Sequence, residues 1–280
     1  MFKQVINAMN SSVWAIQPEK MEIIMKFLSI RLTGQKISDE TISAVTQSQP
    51  EMFSQKKTVV LPIFGTITQH ADMMSEYSGG TSTDKLGAMF DNAMSNPSIK
   101  SIILNIDSPG GSVYGLEELT TKIRNARGKG KRIIAVANSL MASAAYYIGS
   151  AADKIVASPG AQVGSIGTIA VHIDQSKAIE EAGYKYTFFT AGKYKALGNN
   201  TEPLSEDAVD YYQTMVDRYY DMFVSAVAQN RGISKQDVKS NYGQGKVLIA
   251  QDAVKVGMVD QIRTLEEVIK QEERRYTRTR

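Results

Sequence analysis

Short apolar runs that alternate with helical segments are the feature that most restricts the fold of this chain. Residues 99–106, 132–137 and 154–157 are rich in apolar and β-branched side chains and have the length of buried strands. Segments with apolar residues at helical spacing, 116–123 and 144–151, separate these runs. The crossover connections of a parallel sheet require this alternation. The sequence therefore predicts an α/β fold with a parallel sheet and crossover helices.

An amphipathic helix is predicted ahead of this main domain. Apolar residues recur at helical spacing between Pro18 and Leu32, and proline suits the first turn of a helix. Most of the following stretch, up to residue 57, is polar. We expect an N-terminal helical extension and linker at 1–56, the main domain at 57–266 and a charged C-terminal tail at 267–280.

Composition excludes several classes of site and partner. The chain has no cysteine, which rules out disulfides, zinc-thiolate sites and a cysteine nucleophile. Its 32 Lys and Arg residues barely outnumber its 29 Asp and Glu residues, so charge gives no reason to expect nucleic acid as a partner. Charged residues interrupt the apolar stretch at 21–32, which argues against a membrane span. We expect no cofactor, no metal and no membrane partner.

Ser143 lies between an apolar strand and an alanine-rich helix. At such a corner, a hydroxyl projects at the carboxyl edge of the sheet, and the helix N-terminus offers N–H groups to an oxyanion. The alternative is a serine that only caps the helix, which is the commoner role. Position alone does not distinguish a nucleophile from a cap.

Gly110 and Gly111 follow the buried strand at 99–106 and allow another backbone to approach closely. An N–H group at this place could bind the carbonyl oxygen of a substrate. A tight turn is the alternative, because turn glycines are far more common than oxyanion glycines.

A serine nucleophile needs a base, and the chain has only two histidines, His70 and His172. Neither fits a catalytic triad well. Lys193 and Lys195 lie just past a predicted strand at 185–190 and are candidates instead. A lysine must first lose its proton, which takes a pKa shift of roughly 3 units, about 4 kcal/mol, and burial supplies such shifts. The residues themselves leave open which lysine is buried.

Four motifs in order and spacing resemble the signal peptide peptidase A family of serine proteases. They are Ser-Pro-Gly-Gly at 108–111, Ala-Ser-Ala-Ala-Tyr-Tyr at 142–147, Ala-Asp-Lys-Ile at 152–155 and Gly-Ser-Ile-Gly at 164–167. The resemblance covers roughly residues 58–265. It implies a ClpP/crotonase-like fold, a Ser-Lys dyad and a protease domain at 57–266.

Carried over position by position, the resemblance implies a role for five residues. Ser143 becomes the nucleophile and Lys195 the general base, while Lys193 is a bystander. Gly111 and Ala144 donate the oxyanion N–H groups, and Ser165 orients the lysine amine.

Within the family, the chain is similar to the tailed-phage branch of prohead and minor-capsid proteases, partly through Val-Trp-Ala-Ile at 13–16. This implies cleavage of capsid or scaffold protein by a homo-oligomeric ring in the host cytoplasm, inside the assembling prohead. Two alternatives stay open. One is a bacterial cytoplasmic peptidase that degrades signal peptides, and the other is a non-catalytic capsid assembly protein of the same fold.

Overall fold

The computed structural model describes residues 12–32, 51–70 and 80–277. Helices in these ranges are α1 (Pro18–Leu32), α2 (Thr83–Ser95), α3 (Leu116–Ala126), α4 (Ala144–Ser150), α5 (Ser176–Glu181), α6 (Glu206–Arg231), α7 (Lys235–Asn241), α8 (Ala250–Lys255) and α9 (Leu265–Thr277). Strands are β1 (Trp14–Ile16), β2 (Phe53–Gln55), β3 (Thr58–Phe64), β4 (Ile67–Thr68), β5 (Thr81–Ser82), β6 (Ser101–Ser108), β7 (Gly110–Ser112), β8 (Arg132–Ala142), β9 (Lys154–Ala157), β10 (Gln162–Gly164), β11 (Val247–Ile249) and β12 (Gln261–Ile262).

The larger sheet has the order β11-β10-β8-β6-β3-β2, with β9 and β12 attached beside β8. Strands β3, β6 and β8 run parallel, and helices connect them. These strands are almost wholly buried because helices cover both faces of the sheet. The predicted α/β fold with a parallel sheet and crossover helices is confirmed.

Strand β8 changes partner along its length. Its first half pairs with β9 and its last three residues pair with β10. The register of the β6–β8 pair also shifts between Ile106 and Ser108. A shift of this kind bends strands and often lies beside an active site. Here the shift lies at the carboxyl ends of β6 and β8, and Ser143 directly follows β8.

A smaller sheet with the order β1-β7-β4-β5 lies at this end of β6. Its strand β7 continues almost directly from β6, and β1 from the N-terminal region pairs antiparallel with it. The smaller sheet thus places backbone from distant parts of the chain beside the carboxyl ends of β6 and β8.

The predicted N-terminal helix is confirmed as α1, which begins at Pro18. Residues just before it belong to the fold as β1, and β2 begins within the predicted linker. Residues 33–50 of that linker lie outside the described residues. The boundary at residue 57 stays a prediction.

The C-terminal region differs from the predicted charged tail. Helix α9 spans most of it and packs on the sheet face opposite α2 and α3, through Val268 and Ile269. Glu272 on the same helix is 1% exposed and accepts a hydrogen bond from Ser101 Oγ at 2.7 Å. Two arginines form ion pairs with it: Arg132 Nε lies 3.2 Å from Glu272 Oε2, and Arg275 Nε lies 3.9 Å from Glu272 Oε1. The charges of α9 therefore do not mark a solvated tail along its whole length.

Replacing Glu272 with alanine is expected to lower the free energy of unfolding by about 2 kcal/mol, because Ser101 loses its buried hydrogen-bond acceptor and the partly exposed Arg132 loses its ion-pair partner. Urea unfolding would measure the change. Glu266→Ala is the matched control on the exposed side of α9, and its effect should stay within about 0.5 kcal/mol. Equal effects of the two substitutions would mean that α9 does not pack as described.

Within the described ranges, every helix is too short or too polar to span a lipid bilayer.

Candidate active site

Ser143 occupies the corner between β8 and α4, as predicted, and is fully buried. Its backbone has φ 56° and ψ −120°, a positive φ that is uncommon for a residue other than glycine. The corner is held by two hydrogen bonds, from Ser143 N to the Gly164 carbonyl at 2.7 Å and from Tyr147 N to the Ser143 carbonyl at 2.9 Å. Strained backbone that its surroundings hold in place is typical of functional positions.

The Ser143 side chain does not cap the helix. A serine that serves as an N-cap accepts a hydrogen bond from an N–H group of the first helical turn, and no such bond is formed in the described structure. The hydroxyl instead lies 3.5 Å from the carbonyl oxygen of Gly167, a long contact. The capping role therefore does not account for Ser143, and its hydroxyl makes only this one long contact.

Gly110 packs directly against this corner. A Cβ at Gly110 would lie 2.8 Å from Ser143 Cβ and 3.0 Å from Ala144 N, and the glycine has φ 101°. Ser108 fixes the turn, because its hydroxyl donates to the Gly65 carbonyl at 2.6 Å and accepts from Gly110 N at 3.2 Å. The backbone at position 110 can therefore approach Ser143 this closely only because the residue there is glycine.

Gly111 is equally confined, since a Cβ there would come within 1.9 Å of the Ile67 carbonyl oxygen on β4. The structure thus brings together three of the predicted site residues, Ser143, Ala144 and Gly111. The two backbone N–H groups that an oxyanion site needs, from Gly111 and Ala144, thus belong to segments that pack against each other at Ser143.

Ser165 reaches the same edge through β10. Gly164 pairs with Ala142 in parallel register, which places Ser165 beside the nucleophile corner. Ser165 is buried, has φ 54° and donates its N–H to the Lys246 carbonyl at 2.8 Å. Its predicted role toward a lysine amine stays a prediction.

Lys195 lies away from this buried cluster. Its side chain is exposed, and its N–H donates to the Gly192 carbonyl within a series of turns. The strand predicted at 185–190 is not formed, so these turns are not anchored to the sheet. Within the described ranges, a single chain does not bring Lys195 to Ser143.

Lys193 is exposed too, but it has a partner. Its Nζ forms an ion pair with Asp207 Oδ2 at 2.8 Å, and the hydrogen bond from Lys193 to this carboxylate raises the pKa of the Lys193 amine. A lysine held in its charged form is a poor base. Of the two candidates, Lys193 is the less suitable.

The segment that carries both lysines, residues 183–198, exposes many large apolar side chains, and we refer to it as the aromatic arm. Phe189 is 95% exposed, and Tyr184, Tyr186 and Tyr194 are each more than half exposed. Exposed apolar surface of this kind commonly marks an interaction site.

The histidines take no part in the cluster. His70 pairs with Asp84 at 2.6 Å on the surface, and both ring nitrogens of His172 are buried without a hydrogen-bond partner in the described structure. Those ranges also contain no group of three or more acidic or histidine side chains placed to hold a metal ion.

Tyr147 was missed as a site residue. Its hydroxyl contacts Glu117 of α3, and burial together with this carboxylate raises the pKa of the Tyr147 phenol. It lines a small cavity together with Leu116, Phe223 and Ala15 of β1. The motif at 142–147 shows that Tyr147 follows Ser143 in sequence, but only the folded structure shows that its hydroxyl contacts Glu117.

A family model described as peptidase family S49 matches residues 125–277, more than half of the chain. The match includes Ser143, Ser165 and Lys195. It agrees with the predicted ClpP/crotonase-like fold.

Three relatives illustrate the range of similar proteins. A protein of Methanocaldococcus jannaschii named as a protease is 33% identical over 65% of this chain and 58% of its own. Capsid assembly protease C of Escherichia phage lambda is 30% identical over 72% of this chain and 46% of its own. A protein of Enterococcus faecium named signal peptide peptidase SppA is 28% identical over 81% of this chain and 64% of its own. This chain thus spans about half to two thirds of the length of these curated relatives.

Proposed function

The chain belongs to peptidase family S49, and on this premise we propose that it is a serine endopeptidase with Ser143 as nucleophile and Lys195 as general base. The observation that carries the proposal is the corner at Ser143. A buried serine at positive φ leaves its hydroxyl unused for capping and lies beside Gly110 and Ala144. A purely structural serine has no need of this combination.

The proposed reaction proceeds through an acyl-enzyme. Ser143 Oγ bonds to the carbonyl carbon of the substrate while its proton passes to the Lys195 amine. The negative charge on the carbonyl oxygen is stabilised by the N–H groups of Gly111 and Ala144. The proton then goes to the leaving amine as the peptide bond breaks, and a water molecule hydrolyses the ester. Ser165 orients the amine.

The proposed dyad needs an assembly step. A lysine amine acts as a base only when it is uncharged, and removal from water favours that form. Lys195 is exposed in the single chain and lies in the aromatic arm, whose apolar surface is also uncovered. We therefore propose a homo-oligomeric ring in which the arm of one copy packs on a neighbour and brings Lys195 to a Ser143.

The proposed substrate is a capsid or scaffold polypeptide, cleaved inside an assembling prohead in the host cytoplasm. Similarity to the capsid assembly protease of phage lambda supports this role. The second candidate is degradation of signal peptides in a bacterial cytoplasm, which the likeness to a signal peptide peptidase over 81% of the chain favours. Cleavage assays with each class of substrate would separate the two.

Labelling by a fluorophosphonate tests the nucleophile without knowledge of the substrate. The assembled full-length protein is expected to become labelled at Ser143, identified by mass spectrometry of the tryptic peptide, and Ser143→Ala is expected to stay unlabelled. Heat-unfolded protein is the control for non-specific reaction. If folded, oligomeric protein remained unlabelled, the non-catalytic assembly role would replace the protease role.

A further inference from the structure

Strand β1 lies directly on the glycine strand of the candidate site. Trp14, Ala15 and Ile16 pair antiparallel with Ser112, Gly111 and Gly110, respectively. Flanking hydrogen bonds run from Gln17 N to the Pro109 carbonyl at 2.9 Å and from Val113 N to the Val13 carbonyl at 3.5 Å. By the alternation of an antiparallel ladder, Ala15 and Gly111 are then a hydrogen-bonded pair.

The other edge of β1 is bonded as well. Trp14 N donates to the Ile169 carbonyl, and Ile169 N donates to the Trp14 carbonyl, each at 2.8 Å. The segment from Val13 to Ile16 is therefore held between β7 and the chain that follows Ser165, and all four of its residues are buried. An extended peptide bound between two strands is a recurring mode of peptide recognition.

The carbonyl oxygen of Ala15 points into the candidate site. A Cβ built at Gly110 would lie 2.2 Å from this oxygen, 2.8 Å from Ser143 Cβ and 3.0 Å from Ala144 N. These three atoms thus surround one point. In the paired register the same oxygen faces Gly111 N, one of the two proposed oxyanion donors, and it lies on the side of Gly110 that also faces Ser143 and Ala144 N.

We propose that residues 13–17, here called the resident strand, occupy the peptide-binding channel of the enzyme and that a substrate must displace them. This inference rests on the proposed function. The channel then takes an extended peptide with a small apolar residue at the position of Ala15. That side chain borders a small cavity lined mainly by apolar and aromatic side chains, among them Leu116 and Phe223, and by the Glu117 carboxylate, so an acidic side chain there would lose hydration and face a like charge.

The resident strand reduces the fraction of molecules with an open channel, and the apparent affinity of the protein for a substrate peptide falls by the same fraction. Trp14 anchors it in a cluster with Ile16 and Met21.

The first test measures binding of a fluorescein-labelled peptide, Ser-Val-Trp-Ala-Ile-Gln, to the full chain by anisotropy. Trp14→Ala is expected to tighten binding at least about tenfold over the unsubstituted protein. A peptide with aspartate in place of its alanine should bind at least about tenfold more weakly.

Leu86→Ala is the matched control, because it truncates a buried side chain of α2 and leaves the channel untouched. It should not tighten peptide binding. Equal tightening by Leu86→Ala would overturn the proposal, since general destabilisation would then explain the effect.

If Trp14→Ala fails to fold, a second test uses a disulfide that holds the resident strand in place and can be reduced. The chain has no cysteine of its own, and the Val13 and Val113 backbones face each other across the ladder, within the usual span of a disulfide. The Val13→Cys, Val113→Cys protein should bind the peptide when reduced and lose binding when oxidised. Equal binding in both states, or none in either, would overturn the proposal. A third outcome separates the two proposals. If peptide binding depends on the oxidation state but the reduced protein is not labelled at Ser143 by a fluorophosphonate, the protease function is refuted and the peptide-binding channel is supported.

Discussion

Ser143→Ala is expected to lower substrate cleavage by at least about 10³-fold while the protein remains folded. The substitution removes the atom that would bond to the substrate carbonyl, and no other group in the described site is placed to replace it. The side chain makes one long contact, to Gly167 at 3.5 Å, so its loss should change the free energy of unfolding by less than about 1 kcal/mol. A large loss of rate with little loss of stability separates a nucleophile from a structural residue.

Co-expression with capsid and scaffold polypeptides, followed by gel analysis of their cleavage, would measure the effect. Ser158→Ala is a suitable control, because Ser158 is partly buried and makes one weak side-chain contact at 3.4 Å. The Ser158→Ala protein should cleave these polypeptides at the same rate as the unsubstituted protein. Undiminished cleavage by Ser143→Ala would refute the proposed nucleophile.

The part of the site around Ser143 could be predicted because its signals are local. An apolar run that ends in serine and continues as an alanine-rich segment predicts a strand-to-helix corner, and the structure contains this corner. Gly110 and Gly111 follow a buried strand, and close packing at both positions excludes any side chain. The sequence signal for each feature lies within a few residues, although the atoms that confine the two glycines belong to Ala15, Ile67 and Ser143.

Features that depend on distant contacts were missed. Strand β1 pairs with β7, almost a hundred residues later in the chain, and nothing in the pattern at 13–16 indicates that partner. Helix α9 has a charged sequence, yet Glu272 on it is buried against Ser101. A charge pattern shows that a helix has polar residues but not which of them find buried partners.

The strand predicted at 185–190 was wrong for a related reason. Alternating aromatic and polar side chains suit a half-buried strand, but a strand needs a neighbour, and the described chain offers none there. Phe189 and Tyr184 are left exposed instead. The same uncovered surface carries Lys195, so the missing strand and the exposed lysine are the two observations that the proposed ring would explain.

Under the proposed mechanism, replacing Lys195 with alanine is expected to reduce cleavage at least about 10³-fold, because Ser143 would lose its proposed proton acceptor. Lys193→Ala is the matched control two residues away on the same arm. Its amine is engaged with Asp207 on the surface, so its loss should change the rate by no more than about twofold. Cleavage of the co-expressed polypeptides would be measured for both, and a larger effect at Lys193 than at Lys195 would reverse the proposed roles.

Mixed oligomers test whether the dyad forms between copies. Ser143→Ala and Lys195→Ala chains, each inactive alone, are co-expressed in equal amounts and purified together through different tags. If the arm of one copy supplies Lys195 to the Ser143 of its neighbour, about a quarter of the junctions in a ring will combine an intact serine with an intact lysine. Cleavage should then recover to about a quarter of the unsubstituted rate. If the dyad forms within one chain, no site is complete and the mixture stays inactive, because each chain still lacks one of the two groups.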